Sequence, residues 1–591
     1  MMSPSLPPRT SASTTLPPQV ARSQLRPAAA SSTVADQTAT TPASSSASSP
    51  SYDWFAGWYP VQIESEMDKS RPVPFTLLNR RIVFWVDGDG EWRCHRDRCP
   101  HRLVPLSEGR INESGHLECG YHGWEFNGAG ACVAIPQADG PEGVARGCNS
   151  PRACVEAYPV AVRQGLLFVR PKPLGPNETY EQAMRAIPLI DEKLEHEDEW
   201  VTSTAVRDLP YDWTTLFENV LDASHLPFTH DQTVSKRANA TPVSLQVDEV
   251  NEEGFKGVWP QGPREGYYGS LYTRFQAPSL MVSSLFAYET RGADILTVVY
   301  GVPTTPGHSR VITQSPFRFK SKLPRTIFPL IPTWFTHPNT NTILEDDVIF
   351  LHKGEREVNL AATGKAVDEV KPVGQYYYIP TKADEFVIAF RQWLATRGGG
   401  PFGGPGSAAF AAAIGPEKPL PELLERQRSH TDLCRSCRMA QKNTHALVGV
   451  LKAAAVACAL VASVAAAYAL LPSTIGAGNA TGTAGLWSGL TVSPGVVGVV
   501  EKWVGGAVAG VLAPWVGAGD ATAVVAVKVP VMARAVGWLG AAVGWYVLAM
   551  GLKQWSRRFE IGHPVPPRNA VSIKKLAKMK RRNQGNKNNR A

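Results

Sequence analysis

Two short segments hold the residues most suited to metal chemistry. Cys99-Pro-His101 is followed, after seventeen residues, by Cys119-Gly-Tyr-His122. Each segment therefore offers one thiolate and one imidazole. That division suits a [2Fe-2S] cluster in which one iron takes both thiolates and the other both imidazoles. Neutral imidazoles in place of anionic thiolates lower the negative charge at the iron and raise its potential, so the cluster accepts electrons readily from a ferredoxin-type donor. Structural zinc also takes two Cys and two His, but zinc fingers group the cysteines together and the histidines together. Gly123-Trp-Glu-Phe126 and the Ile135-Pro-Gln137 turn add to the cluster reading. Cys94, Cys132, Cys148 and Cys154 have no histidine at this spacing and read as small buried residues or incidental thiols.

A second constellation begins about a hundred residues later, in Glu218-Asn-Val-Leu-Asp222-Ala-Ser-His225-Leu-Pro-Phe-Thr-His230. His225 and His230 can converge on one metal where Pro227 interrupts regular helix. Two imidazoles and one carboxylate on one side of Fe(II) leave positions open for O2 and substrate. The bland alternative is a pair of buried, hydrogen-bonded histidines. The third ligand must come from elsewhere, and Glu345-Asp346-Asp347 ahead of an apolar run is the best acidic group, although spacing does not choose among the three. Asp222 is placed to orient an iron-bound imidazole and to bridge toward a cluster ligand; capping the local helix is its other reading. Near the end of the folded part, Cys434-Arg-Ser-Cys437 has the spacing of a reversible disulfide with a thioredoxin-type partner, or of an unreactive pair on a helix. With no second C-x-x-C nearby, zinc is the less favoured reading there.

These residues need scaffolds, and 591 residues are enough for two or three folded units. Residues 54–172 contain short β-rich runs such as Arg81-Ile-Val-Phe-Trp-Val86 between Gly, Asp and Pro turns, which predicts a small antiparallel domain around the cluster segments. Residues 195–397 alternate over longer runs and include a helical stretch at Tyr211 to Asp222, which predicts an α+β domain on an antiparallel sheet. Residues 398–440 read as a linker carrying the C-x-x-C pair, its first part, to about 419, a Gly-rich flexible connector. Apolar runs centred on 447–471 and 531–552 approach the length of about 20 residues that crosses a bilayer as helix. A small-residue-rich buried hairpin is the alternative. A Gly/Ala-rich connector, 472–530, separates them and a basic tail, 553–591, follows.

The chain has 60 Lys+Arg against 52 Asp+Glu, net +8, with much of the excess in that tail. A basic tail beside an apolar segment points to anionic lipid or to solvent rather than to nucleic acid. Residues 1–50 are rich in Ser, Thr, Ala and Pro and carry Arg9, Arg22 and Arg26 with the single acid Asp36, the profile of an organelle transit peptide. Nine cysteines in a chain this long do not make a disulfide scaffold.

The two metal motifs, in this order, resemble the Rieske oxygenase family over residues 54 to about 400. Cys99-Pro-His-Arg-Leu-Val-Pro-Leu-Ser-Glu-Gly109, Ser150-Pro-Arg-Ala-Cys154, Gln164-Gly-Leu-Leu-Phe-Val169, Ala383-Asp-Glu-Phe-Val-Ile-Ala-Phe-Arg-Gln-Trp393 and His430-Thr-Asp-Leu-Cys-Arg-Ser-Cys437 are similar to the chloroplast branch of that family, and within it to the pheophorbide a oxygenase group. The resemblance implies an antiparallel β Rieske domain, a helix-grip catalytic domain and C-terminal transmembrane helices. It implies a [2Fe-2S] cluster on Cys99, His101, Cys119 and His122, and Fe(II) on His225, His230 and Asp347. It further implies reduced ferredoxin and O2 as reactants, a tetrapyrrole substrate such as pheophorbide a, and a plastid membrane location. By the same analogy the chain forms a homotrimer in which Asp222 links His225 to a cluster histidine of the next subunit. Rival readings are oxidation of a methyl group on a chlorophyll precursor, hydroxylation of a bilin, or a redox component of a protein-import machine.

Overall fold

A computed structural model describes residues 52–191, 199–263, 268–363, 377–402, 408–470 and 521–562. The segment 1–50 expected to be a transit peptide, most of the 472–530 connector and most of the basic tail lie outside the described residues.

The N-terminal domain is built from short antiparallel strands. Strand Arg80–Val86 shows why: Ile82 and Phe84 face one core while Val83 and Trp85 face another, so a run without polar alternation is buried on both sides. It pairs with Val73–Leu77 and Trp92–Arg96, and Ala157–Tyr158 completes the sheet. A second sheet of two- and three-residue strands, Arg110–Ile111, Leu117–Glu118, Glu125–Phe126 and Cys132–Ala134, carries the cluster segments on its connections. Tyr59–Ile63 and Val160–Arg163 flank Leu166–Val169 in a third sheet that packs toward the next domain.

The catalytic domain is a seven-stranded antiparallel sheet, ordered in space Trp200–Leu209, His308–Phe319, Ala293–Thr305, Leu280–Ala287, Leu271–Gln276, Gly254–Trp259, Gln246–Asn251. Helix α1 (Trp213–Leu221) lies against it, capped where Asp212 Oδ1 accepts from the Thr214 amide at 2.9 Å. Its contact is close: a Cβ on Gly301 would stand 2.5 Å from the Phe217 ring, so only glycine admits the helix at this depth. The Trp213 indole donates to the Gly301 carbonyl at 3.1 Å. Helix α2 (Thr333–Thr363) carries the acidic triplet.

The 398–440 segment differs from the expected linker. Phe410, Ile414, Leu423, Leu424, Arg426 and His430 are buried, and Arg356 on α2 donates to the carbonyls of Ile414 and Pro416. Burying apolar residues and saturating backbone carbonyls outweighs the Pro- and Gly-rich composition that predicted a flexible connector up to 419. Helix α3 (Arg435–Leu470) begins twelve residues before the expected apolar span, and helix α4 (Ala521–Ser556) begins ten before its own. The two pack against each other, and by length and composition both could cross a membrane. Only 28% and 17% of their most apolar windows are buried, while side chains such as Leu460 and Val536 stand exposed.

Candidate iron centres

The two cluster segments adopt the same turn. The Cys99 amide donates to the Val104 carbonyl at 2.8 Å, and the Leu103 amide returns to the Cys99 carbonyl at 2.8 Å. In the second segment the Cys119 amide donates to Trp124 at 2.8 Å and Gly123 to Cys119 at 2.9 Å. Both turns require a left-handed residue, Leu103 (φ 62°) and Gly123 (φ 70°). Leucine accepts that backbone at a cost of about 1–2 kcal/mol. The result is polarised: Cys99 and Cys119 are 1% exposed, whereas His101 is exposed and His122 half-buried. The two imidazole rings lie 4.6 Å apart, and the Trp124 indole stacks on His101 at 4.8 Å. Thiolates inside and imidazoles at the surface fit a cluster whose histidine-bound iron faces an electron-transfer partner. Of the other cysteines in this domain, Cys94 and Cys132 are buried, Cys148 half-buried and Cys154 exposed; Cys132 and Cys148 face each other with their sulfurs 3.3 Å apart.

The second centre forms where α1 ends. Asp222 closes the helix, and His225 opens a single turn, Leu226–Thr229, that carries Pro227. His230 Nε2 lies 3.3 Å from Asp347 Oδ2, and His225 Nε2 lies 3.9 Å from Asp347 Oδ1. The three ligand atoms fall within 4.8 Å of one another. Two imidazoles and a carboxylate converging from one side fit an Fe(II) site with open positions.

Helical geometry sorts the acidic triplet. Successive residues on α2 point about 100° apart at 3.6 residues per turn. Asp347 faces the histidines. Asp346 Oδ2 sits 3.3 Å from the outer nitrogen, Nδ1, of His230 and accepts from Thr233 Oγ1 at 2.8 Å. Glu345 points away, into the guanidinium groups of Arg207 (2.8 Å) and Arg426 (2.6 Å). Asp222 plays for His225 the part Asp346 plays for His230. Its Oδ2 faces His225 Nδ1 at 3.5 Å, longer than a good hydrogen bond, while Oδ1 accepts from the Ser224 amide and hydroxyl at 2.7 and 2.6 Å. That forward turn, rather than a contact back along α1, is what its side chain makes. Burial pulls the His230 pKa down, but Asp346 and Asp347 outweigh it and raise the metal-free residue to about 9.

Residues Ala223, Ser224, Leu226, Pro227 and Phe228 of the ligand loop, with Val243 and Trp259 opposite, wall a largely apolar cavity of about 370 Å³. Its described walls include the loop but none of the three ligands.

Cys434 and Cys437 are wholly buried where α3 meets the catalytic domain. Two histidines face them: His430, which opens the same sequence segment, and His337, which no motif flagged. His337 Nδ1 lies 3.5 Å from each sulfur, and His430 Nε2 lies 3.4 Å from Cys437 Sγ.

Comparison with known proteins matches residues 57–159 to the Rieske [2Fe-2S] domain family and residues 275–364 to the pheophorbide a oxygenase family. Pheophorbide a oxygenase of Oryza sativa subsp. japonica is 36% identical over 71% of this chain and 79% of its own length. Flavonoid 8-hydroxylase 2 of Ocimum basilicum is 32% identical over 70% of this chain and 79% of its own. Protein TIC 55 of Arabidopsis thaliana is 31% identical over 69% of this chain and 76% of its own. All three relatives are named chloroplastic.

Proposed function

Because this chain belongs to the Rieske oxygenase family of pheophorbide a oxygenase, we propose that it opens the macrocycle of pheophorbide a with O2 and electrons from reduced ferredoxin. The observation that carries the substrate is the graded similarity: 36% identity to a pheophorbide a oxygenase against 32% and 31% to relatives of other names. The intact His225, His230 and Asp347 set favours an oxygenase over a pure electron carrier, which has no use for an open iron.

When bound, the cluster supplies electrons one at a time and the mononuclear iron activates O2. The chain's own groups prepare that chemistry. Cys99 and Cys119 keep two thiolates out of water, and His101 and His122 bring imidazole to the surface, flanked by exposed Leu103 and Tyr121. Asp222 and Asp346 each face an Nδ1 proton, which leaves the Nε2 lone pair of His225 and His230 free to face Asp347. The exposed histidine edge supports a homotrimer in which one copy's cluster meets the next copy's Asp222. The apolar hairpin of α3 and α4 supports attachment to a plastid membrane, beside the source of chlorophyll products.

The test is incubation of the full chain, loaded with iron, with reduced ferredoxin, pheophorbide a and 18O2, following macrocycle absorbance and product mass. A labelled, ring-opened product is expected. No turnover, with both centres occupied and reducible, would reject pheophorbide a. Turnover of a chlorophyll precursor, a bilin or a flavonoid in its place would reassign the substrate.

A further inference from the structure

We propose that His337, His430, Cys434 and Cys437 bind one zinc(II) ion that fastens the C-terminal helical hairpin to the catalytic domain. The four ligand atoms lie within 4.8 Å of one another, the reach of a single ion, and all four residues are at most 2% exposed. Tetrahedral zinc with Zn–S of about 2.3 Å and Zn–N of about 2.0–2.1 Å puts sulfur and nitrogen about 3.5 Å apart along each edge. Three of the four N···S separations here are 3.4, 3.5 and 3.5 Å, and the fourth falls within the 4.8 Å limit.

The outer nitrogens of both rings are already committed. His430 Nδ1 lies 2.7 Å from the Val206 carbonyl and His337 Nε2 lies 3.1 Å from the Thr204 carbonyl, both on strand Trp200–Leu209. Each carbonyl can only accept, so each outer nitrogen carries the proton and the inner nitrogen presents a lone pair to the sulfurs. A ligating histidine that donates its other N–H to a backbone carbonyl is the arrangement metal sites use to fix tautomer and ring orientation. Two neutral imidazoles, two thiolates and one divalent cation sum to zero charge, which suits a pocket walled by Trp334, Trp555 and Phe559. Binding releases the two thiol protons to solvent. The soft S2N2 set selects zinc over harder divalent ions.

A thiol switch fits these surroundings less well, because exchange with a thioredoxin-type partner needs an accessible sulfur and both are 0% exposed. Each ligand sits on an element with a structural role. His337 is on α2, ten residues from Asp347 of the iron site; His430 is held by the sheet edge; Cys434 and Cys437 stand at the start of α3. The ion would tie all three together.

Full-length protein with one cluster spin per chain, which excludes zinc from the Cys99/Cys119 site, is analysed for metals and by X-ray absorption at the zinc edge. One zinc per chain with two sulfur and two nitrogen ligands is expected, and Cys437→Ser should lower bound zinc at least tenfold while the cluster signal stays unchanged. Cluster-loaded protein without zinc, a zinc spectrum lacking sulfur, zinc retained by Cys437→Ser, or an intact mass showing a Cys434–Cys437 disulfide would each overturn the proposal. If the variant does not fold, the wild-type metal content and spectrum decide alone.

Discussion

Asp346 touches no metal in this arrangement, yet replacing it should weaken iron binding. Its Oδ2 faces the buried His230 Nδ1 at 3.3 Å and accepts from Thr233 Oγ1 at 2.8 Å. Asp346→Asn keeps shape and one acceptor but removes the negative charge behind the imidazole. A hydrogen bond to a charged group contributes about 1.5–3 kcal/mol and a neutral one about 0.5–1.5 kcal/mol, so the change costs about 1–2 kcal/mol. At about 1.4 kcal/mol per tenfold, iron affinity falls roughly 5- to 30-fold. A second effect opposes the first. The two carboxylates hold metal-free His230 at about 9, so at neutral pH a proton competes with the metal for Nε2. Removing one carboxylate lowers that pKa and relieves the competition. The loss in Asp346→Asn is therefore smallest near pH 7 and grows as pH rises toward 9. The assay is Fe(II) competition against a chelator of known affinity across that range, with the cluster's EPR signal as an internal control for folding. Equal affinity of variant and wild type at every pH would refute the role assigned to Asp346. A loss that shrinks as pH rises would refute the sign of the proton competition.

Three further outcomes follow from the same contacts. Because Asp222 stands 3.5 Å from His225 Nδ1, too far for a good hydrogen bond, Asp222→Asn is expected to leave both iron centres loaded while slowing turnover sharply, read by metal content beside single-turnover kinetics; wild-type turnover would remove Asp222 from the electron path. Arg426→Met removes the Arg426 hydrogen bonds to buried Glu345 and leaves Arg207 as its remaining partner; since a hydrogen bond to a charged group contributes about 1.5–3 kcal/mol, denaturant unfolding should show a loss of that order; a loss below about 1 kcal/mol would mean the carboxylate is rehydrated. Burial and the neighbouring Asp212 raise Glu355 to about 8, well above its unfolded value, so its contribution to stability is full below the unfolded pKa and is lost as pH rises through 8. Wild-type Tm should accordingly fall between about pH 5 and 8 more steeply than that of Glu355→Gln, which keeps an acceptor for the Asp212 amide; parallel curves would contradict this.

What could be read from the residues, and what could not, divides along contact range. The cluster ligands lie in two tight turns, and His225 and His230 lie one turn apart, so local spacing encodes their convergence. Asp347 arrives from more than a hundred residues away; spacing marked it only as one of three neighbouring acids, and the family resemblance alone singled it out. Choosing among them needs the face α2 turns to the sheet, which is set by Arg207 and Arg426 drawing Glu345 the other way. The role of Asp346, named only as one of the three acids, was illegible for the same reason: it depends on which nitrogen of His230 points outward. His430 stands in the same segment as the two cysteines, but its pairing with His337 left no pattern, because what aligns the two is a pair of backbone carbonyls two residues apart on one strand, and carbonyls leave no trace in side-chain identity. The misread connector belongs here too. Glycine and proline near residue 400 do mark a break, but the buried Phe410, Ile414 and Arg426 beyond it find their partners on α2 and in the region around residue 560, so local composition could not show that they pack. Chemistry held within one turn is thus written in spacing, whereas groups that tune a ligand or join two domains are fixed by distant backbone. That is why Asp346 and the His337/His430 pair make the more searching tests: they depend on the three-dimensional arrangement and not on the motifs that led to it.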